Sequence, residues 1–220
     1  SRVLVAMKGE RAARIKVARG EAPQLERGAL PAGQERIERV NAGANDYAAE
    51  HIVLALGAWS PLLARQLALR LPIQPGKGYS ITYSRPTRAP RRPLVLAEPR
   101  VCVTTWASGF RLGSTMEFAG YDDTLNRVRL DALVRGATEF LHEPVGAEHV
   151  EDWWGWRPMT TDDLPILGAS ERVRGLWFAT GHGMLGMSMS NATAELVAAQ
   201  MLDQDTPLDP DPYRPNRFAL

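Results

Sequence analysis

Arg157 stands directly before Pro158 in the stretch WWGWRPMTTDDLPILG, a placement that gives a cation a stiff mount. Steric conflict with the proline ring holds the preceding residue in the extended region, so the backbone aims the Arg157 side chain. A guanidinium is a planar fork that holds a carboxylate through two parallel hydrogen bonds. On a strand, Trp153, Gly155 and Arg157 share one face, leaving a space over Gly155 walled by an indole and closed by a cation. Such a space suits a small carboxylic acid. A second reading stands beside it: Arg157 pairs with Asp162 or Asp163 and ties down a turn.

The other stretch with chemical content is ATGHGMLGMSMSNATAELVAAQML, from Ala179. Gly181, Gly183 and Gly186 allow a backbone to approach a ligand closely, and a helix beginning near Met187 aims unpaired N–H groups and partial positive charge at whatever precedes it. That end suits electron-rich oxygens. Ser188, Ser190, Ala192 and Ala194 keep the first turns small. A glycine-rich turn before a helix is also a common connection with no ligand, so both readings stay open. His182 is the only histidine inside a motif; His51, His142 and His149 lack metal-ligand spacing, so no metal is expected. Asn191-Ala192-Thr193 fits a glycosylation triplet but falls inside the predicted helix and reads as chance.

These residues need elements to position them. Val3–Met7 and the alternation Ala13, Ile15, Val17 predict two paired strands. Residues 20–45 read as a loop-rich excursion with a brief strand possibility at Ile37–Val40. His51–Gly57 is a continuous apolar run, the pattern of a strand buried on both faces. Ser60-Pro61 then reads as a cap and first helical position, opening a helix to Leu71 with Leu62, Leu63, Leu67 and Leu71 at helical spacing. From Ile73 to Glu117, short strand-like runs separated by prolines predict an antiparallel sheet. Asn126–Leu141 predicts an amphipathic covering helix with an Asn cap and Val128, Leu130, Leu133, Val134 and Phe140 on its apolar side. Strands at Trp153–Trp156, Ile166-Leu167 and Leu176–Ala179 precede a last helix at about Ser188–Leu202, and the proline-rich PLDPDPYRPNRF is expected to be extended.

Composition limits the function classes. With 220 residues, 45% of them hydrophobic, the chain can build one generous domain or two small ones. Lys and Arg total 26 against 25 Asp and Glu, so no net field draws nucleic acid or an acidic membrane. One cysteine, Cys102, excludes a disulfide framework or Cys-rich zinc site; it reads as a small strand residue and fits a reducing, cytoplasmic compartment. No apolar stretch has transmembrane length, and no signal-peptide order opens the chain, which starts at Ser1 without an initiator Met and reads as a piece of something longer.

In order and spacing, HIVLALGAWSPLL, PIQPGKGYSITY, VTTWASGFRLGSTMEFAG, WWGWRPMTTDDLPILG and LWFATGHGMLGMSMSNATAELVA resemble the C-terminal part of FAD-dependent amino-acid oxidoreductases of the D-amino-acid oxidase superfamily, nearest to bacterial D-amino-acid dehydrogenase small subunits. The resemblance runs from His51 to Phe218. The GxGxxG turn that opens such enzymes is missing, and Gly76-Lys77-Gly78 does not supply it. The implied fold is α/β plus α+β: the C-terminal portion of a two-domain flavoenzyme without its N-terminal dinucleotide-binding βαβ unit. Residues 1–71 and 151–220 would form the rear of the FAD-binding domain, and 72–150 an antiparallel substrate domain. The resemblance puts Gly57, Ala58 and Trp59 beside FAD, and the backbone N–H groups of Gly183, Met184, Leu185, Gly186 and Met187 near the flavin pyrimidine edge. It makes Arg157 the substrate-carboxylate anchor, with Tyr79 either a pocket residue or a structural strand tyrosine. It implies oxidation of a D-amino acid or related secondary amine by hydride transfer from Cα to flavin N5, giving an imine that hydrolyses to a 2-oxo acid, with no protein base. It also implies an N-terminal FAD-binding half or partner subunit and a peripheral place at the inner membrane. The alternative is a non-catalytic fragment or subunit that associates with a separate FAD-binding chain.

Overall fold

The computed structural model describes residues 2–7, 14–19, 24–29, 35–42 and 45–218. Its first strands are β1 (Arg2–Met7) and β2 (Arg14–Arg19), paired antiparallel from Arg2↔Arg19 to Met7↔Arg14 as the alternation predicts. Within the expected loop-rich excursion lie β3 (Gln24–Ala29) and β4 (Glu35–Ala42), the second containing the strand possibility at Ile37–Val40, and β5 (Asn45–Ala48) starts at its end; residues 20–23, 30–34 and 43–44 fall outside the described set. A register shift opposite Glu26 and Arg27 explains why the strand pattern is hard to read. The extra residue it inserts lets Ile37 and Val40, three apart, both reach the core, which breaks period-two alternation. Next comes β6 (Ile52–Leu54), buried throughout. The helix expected to reach Leu71 is short: α1 covers Ser60–Ala64, a 3₁₀ turn follows at Arg65–Leu67, and Ala68 ends it at φ 53°. Ser60 is not the cap. It lies inside the first turn, its hydroxyl 2.8 Å from that of Thr180.

The chain divides into two compact units, Ser1–Gln74 with Pro158–Leu220, and Pro75–Arg157. The central unit is built on β7 (Ile73–Ser84), β8 (Leu94–Leu96), β9 (Val101–Thr105), β10 (Gly109–Glu117) and β11 (His149–Thr160), ordered β11-β7-β10-β9-β8. Its second boundary falls at Arg157, inside β11, rather than at residue 150. One face of this sheet buries Tyr79, Ile81, Val101, Val103, Phe110 and Leu112 beneath α2 (Arg127–Thr138). Asn126 caps α2, its side chain accepting from Val128 N–H at 3.1 Å. Leu130, Leu133 and Ala137, at helical spacing, form the covering stripe; Val128 and Phe140, expected on it, are 71% and 45% exposed. Gly136 belongs to the stripe because a Cβ there would stand 2.6 Å from Pro99 Cβ. The close approach offsets glycine's poor helix propensity.

In the other unit, β12 (Ile166–Ala169), β13 (Val173–Arg174), β14 (Leu176–Thr180) and α3 (Gly186–Met201) complete the chain's main elements. A three-stranded sheet runs β12-β14-β6, with β14 parallel to β6 and antiparallel to β12. β13 pairs parallel with β4. Ile52 and Leu54 face one core with Leu63, Leu67, Ile166 and Phe178, while Val53 faces Leu167, Trp177, Leu196 and Val197, so β6 is buried on both sides as its sequence predicts. The proline-rich segment expected to be extended folds instead into 3₁₀ turns at Asp211–Tyr213 and Pro215–Phe218. Backbone hydrogen bonds from Tyr213 to Pro210 and from Arg217 to Arg214 close them. Among the described residues, no helix is long and apolar enough to cross a membrane.

Removing packed volume under α2 sets a direct test. Leu133→Ala should cost about 2–5 kcal/mol in urea unfolding, whereas exposed Val128→Ala on the same helix should stay within about 0.5 kcal/mol. Equal losses would place the wrong face of α2 on the sheet.

Candidate functional site

Arg157 lies on β11 beside β7, and its guanidinium covers Gly78, where any Cβ would collide with it. A glycine inside a strand marks such a close approach, and this is the signal by which Gly78 could have been found in the sequence. The space expected over Gly155 is closed: the Trp153 indole lies on it, with Cζ2 2.6 Å from where a Cβ would be. Arg157 Nη1 is buried without a hydrogen-bond partner among the described residues. Burial pushes the guanidinium's pKa down, opposed by nearby Cys102. Asp162 is committed elsewhere: Arg217 holds it through Nε at 2.8 Å and Nη2 at 3.2 Å. Asp162 thus has a partner other than Arg157, and no ion pair of Arg157 is found among the described residues.

The two glycine-bearing turns follow adjacent parallel strands. β6 leads to the 3₁₀ turn Gly57–Trp59, and β14 leads to Gly181–Leu185 and α3, so both turns lie beyond the carboxyl ends of a parallel pair. Thr180 joins them, its hydroxyl 3.2 Å from Gly57 O and 2.8 Å from Ser60 Oγ. Open α/β sheets bind ligands at such carboxyl ends. Gly57 and Gly183 have φ of 55° and 53°, a region that disfavours a side chain. Gly186 does not; its Cβ would meet only His182 Cβ, at an ordinary 3.5 Å. Within the turn, Gly183 N–H donates to Pro158 O at 3.0 Å and Leu185 N–H to His182 O at 2.9 Å, so these two donors are engaged internally. Gly186 and Met187 open α3, which has no side-chain cap, and first-turn N–H groups have no intrahelical acceptor. Met184, Leu185 and Met187 are 67%, 57% and 90% exposed beside them.

Tyr79 lies on the strand face opposite Gly78, 1% exposed in the core, and donates to the Glu117 carboxylate. The strand-tyrosine reading fits that position. Beside it, Lys77 is fully enclosed, donating to Thr124 O and, at 3.3 Å, to Asp122. The enclosed place of Lys77 is a role the sequence analysis does not give it, although a lysine between two glycines inside a strand is its trace. Among the described residues, no cluster of three or more ligating side chains could hold a metal.

Residues 8–200 match the family described as DAO, FAD dependent oxidoreductase. The chain belongs to that family. It is 37% identical over 186 residues to a D-amino acid dehydrogenase of Chromohalobacter salexigens, covering 84% of this chain and 44% of that protein. A Halorhodospira halophila protein described as an uncharacterized oxidoreductase in the pyp 5' region is 37% identical over 196 residues, with 86% of each covered. Among solved structures, glycine oxidase from Geobacillus kaustophilus superposes with a TM-score of 0.76 at 25% identity, covering 89% of this chain and 52% of that one. The chain thus spans less than half the length of the D-amino acid dehydrogenases it matches. FAD is the family's cofactor. The uncapped start of a 16-residue helix, beside turns whose glycines are left-handed, is compatible with the electron-rich edge of such a group.

His182 sits at the same helix start, its Nε2 2.9 Å from Thr193 Oγ1. Burial pushes its pKa below the ordinary 6.5, and the positive end of α3 acts in the same direction. A depressed folded pKa contributes stability that is present above the unfolded value and lost as pH falls. The His182 ring should therefore titrate below about 6.5 by NMR, and His182→Gln should flatten the loss of stability between about pH 7 and 5. A midpoint at or above the ordinary value would show that the imidazole is not held neutral.

Proposed function

We propose that this chain supplies the substrate-anchoring and flavin-contacting residues of an FAD-dependent amino-acid dehydrogenase. Its substrate would be a D-amino acid or related secondary amine, oxidised to an imine that water converts to a 2-oxo acid and ammonia or amine. Arg157 carries this reading. A half-buried cation with an unpartnered donor is costly unless a ligand supplies the missing anion, and an amino acid always brings a carboxylate. The family match and the dehydrogenases among the relatives support the reaction class.

FAD, when bound, supplies the acceptor for the hydride lost from Cα. Gly57, Ala58 and Trp59, with Met184, Gly186 and Met187, would hold it. Gly57 and Gly183 keep the turns free of side chains, and the α3 amides present positive charge. Arg157 would orient the amino acid by its carboxylate so that Cα–H has one direction to point. The substrate amine need only be neutral before the transfer. Tyr79, with its hydroxyl on Glu117, takes no part in this assignment.

In the full-length protein, Arg157→Lys keeps one charge but loses the planar fork. The loss should be on the order of 2–4 kcal/mol of transition-state binding, roughly thirty- to several-hundred-fold in kcat/KM. FAD content should hold steady. Steady-state kinetics, flavin absorbance and melting temperature from a single preparation check this; undiminished kcat/KM per bound flavin would end the anchor assignment.

A further inference from the structure

Arg217 makes more contacts than any surface arginine requires. Its side chain is 12% exposed and stacks on the Phe218 ring, 4.1 Å from guanidinium carbon to centroid. All of its nitrogens are engaged. Nε and Nη2 grip the two oxygens of Asp162, Nη2 also donates to Leu164 O at 2.8 Å, and Nη1 donates to Tyr213 O at 2.8 Å and Arg214 O at 3.2 Å. One end of the fork closes its own 3₁₀ segment, and the other closes the turn Asp162–Leu164.

That turn is also tied internally. Leu164 N–H donates to Asp162 at 3.2 Å, the Thr160 hydroxyl donates to Leu164 O at 2.9 Å, and Asp163 stands at φ 60°, a left-handed turn conformation that Asp adopts more readily than most side chains. The residues it restrains form the wall of the glycine turn. A Cβ on Gly181 would press on Thr160 Cγ2 at 2.7 Å; one on Gly183 would stand 3.3 Å from Asp163 Oδ1 and 3.7 Å from Met159. Gly183 N–H itself is bonded to Pro158 O.

We infer that Arg217 is a positioning residue for the flavin-contacting turn Gly183–Met187, acting through the Asp162–Leu164 turn that it clamps. The inference rests on the reading of Gly183–Met187 given above. Arg217 touches neither substrate nor flavin in this assignment. Its effect is to keep Asp163 and Thr160 against Gly183 and Gly181, so that the α3 amides keep one direction. Lysine at this position would retain charge but not the fork, releasing Leu164 or Asp162. Asp162→Asn removes charge while leaving Arg217 packed on Phe218, so it tests the same clamp with less disturbance of the fold.

The test uses full-length protein stripped of FAD and titrated with it. Arg217→Lys and Asp162→Asn should each weaken the FAD dissociation constant by about tenfold and speed hydrogen exchange across residues 181–187. KM for the amino acid at saturating FAD should stay within about twofold, the converse of Arg157→Lys. Arg214→Gln is the control: among the described residues its side chain makes only an exposed 3.7 Å contact to Asp211, its carbonyl contact to Arg217 is kept by any side chain, and FAD affinity should be unchanged. Gly183→Val probes the underlying reading separately. If Gly183→Val weakens FAD binding while Arg217→Lys and Asp162→Asn match Arg214→Gln, the positioning role is overturned and the turn's role stands. If Gly183→Val also leaves FAD affinity intact, both fall.

Discussion

A guanidinium withdrawn from water needs a counter-charge, from its own chain or from a ligand, and Arg157 has none of the first kind among the described residues. Much of the local sequence exists to keep it so. Pro158 fixes the approach of the chain, Gly78 removes the side chain that would block the guanidinium, and the indole of Trp153 fills the ground over Gly155 beside it. Of the two acids nearby in sequence, Asp162 is held bidentately by another arginine.

The parallel pair β6 and β14 imposes a second constraint. Strands that run parallel bring their carboxyl ends together, so the turns after Leu54 and Thr180 must emerge side by side. Emergence alone does not align them. The Thr180 hydroxyl does, bridging Gly57 O and Ser60 Oγ, so a strand terminus is tied to the turn it neighbours. α1 begins without a side-chain cap because Trp59, which has no side-chain acceptor, occupies the cap position; Ser60, one residue inside, turns its hydroxyl to Thr180. The resulting helix is short and relies on Leu63 and Leu67 in the core rather than on its own propensity.

Where a single rule governs a segment, its structure was legible. β6, the antiparallel strands from Ile73 to Glu117 and the cap of α2 each follow from burial on both faces, proline-punctuated alternation or an Asn side chain. Where two rules compete, the reading falls short. The bulge in β4 shifts parity between Ile37 and Val40, so the sequence shows only a brief strand possibility at Ile37–Val40 for a strand that runs Glu35–Ala42. Val128 is apolar but, at 3.6 residues per turn, lies about 160° around the helix from Leu130 and about 180° from Ala137, on the exposed side of α2. The site shows the same division. Arg157 was visible because proline constrains it locally, whereas Arg217 meets Asp162 across a separation of 55 residues, which no periodicity encodes.

The buried ionisable residues around Tyr79 bear on what kind of chemistry the central unit can perform. Burial pulls Lys77 down, but neighbouring Tyr79 and Asp122 more than offset it, leaving its pKa raised. Burial and the Glu117 carboxylate raise Tyr79, and the Tyr79 hydroxyl holds Glu117 below the ordinary carboxylate range. Each shift moves the pKa further from neutral pH: lysine stays protonated and charged, tyrosine stays protonated and neutral, glutamate stays ionised. A general base or acid works best when its pKa lies near the operating pH, so this cluster is arranged against proton transfer. Its geometry instead secures structure. Lys77 pins the loop carrying Asp122 and Thr124, and Glu117 links Tyr79 to Asn126 at the cap of α2. Oxidation of a neutral amine by hydride loss asks a protein for orientation and for stabilisation of charge on the acceptor, not for a proton shuttle. A unit whose buried cluster is locked in fixed charge states, and whose unpartnered charged donor among the described residues belongs to an aimed arginine, is suited to that demand.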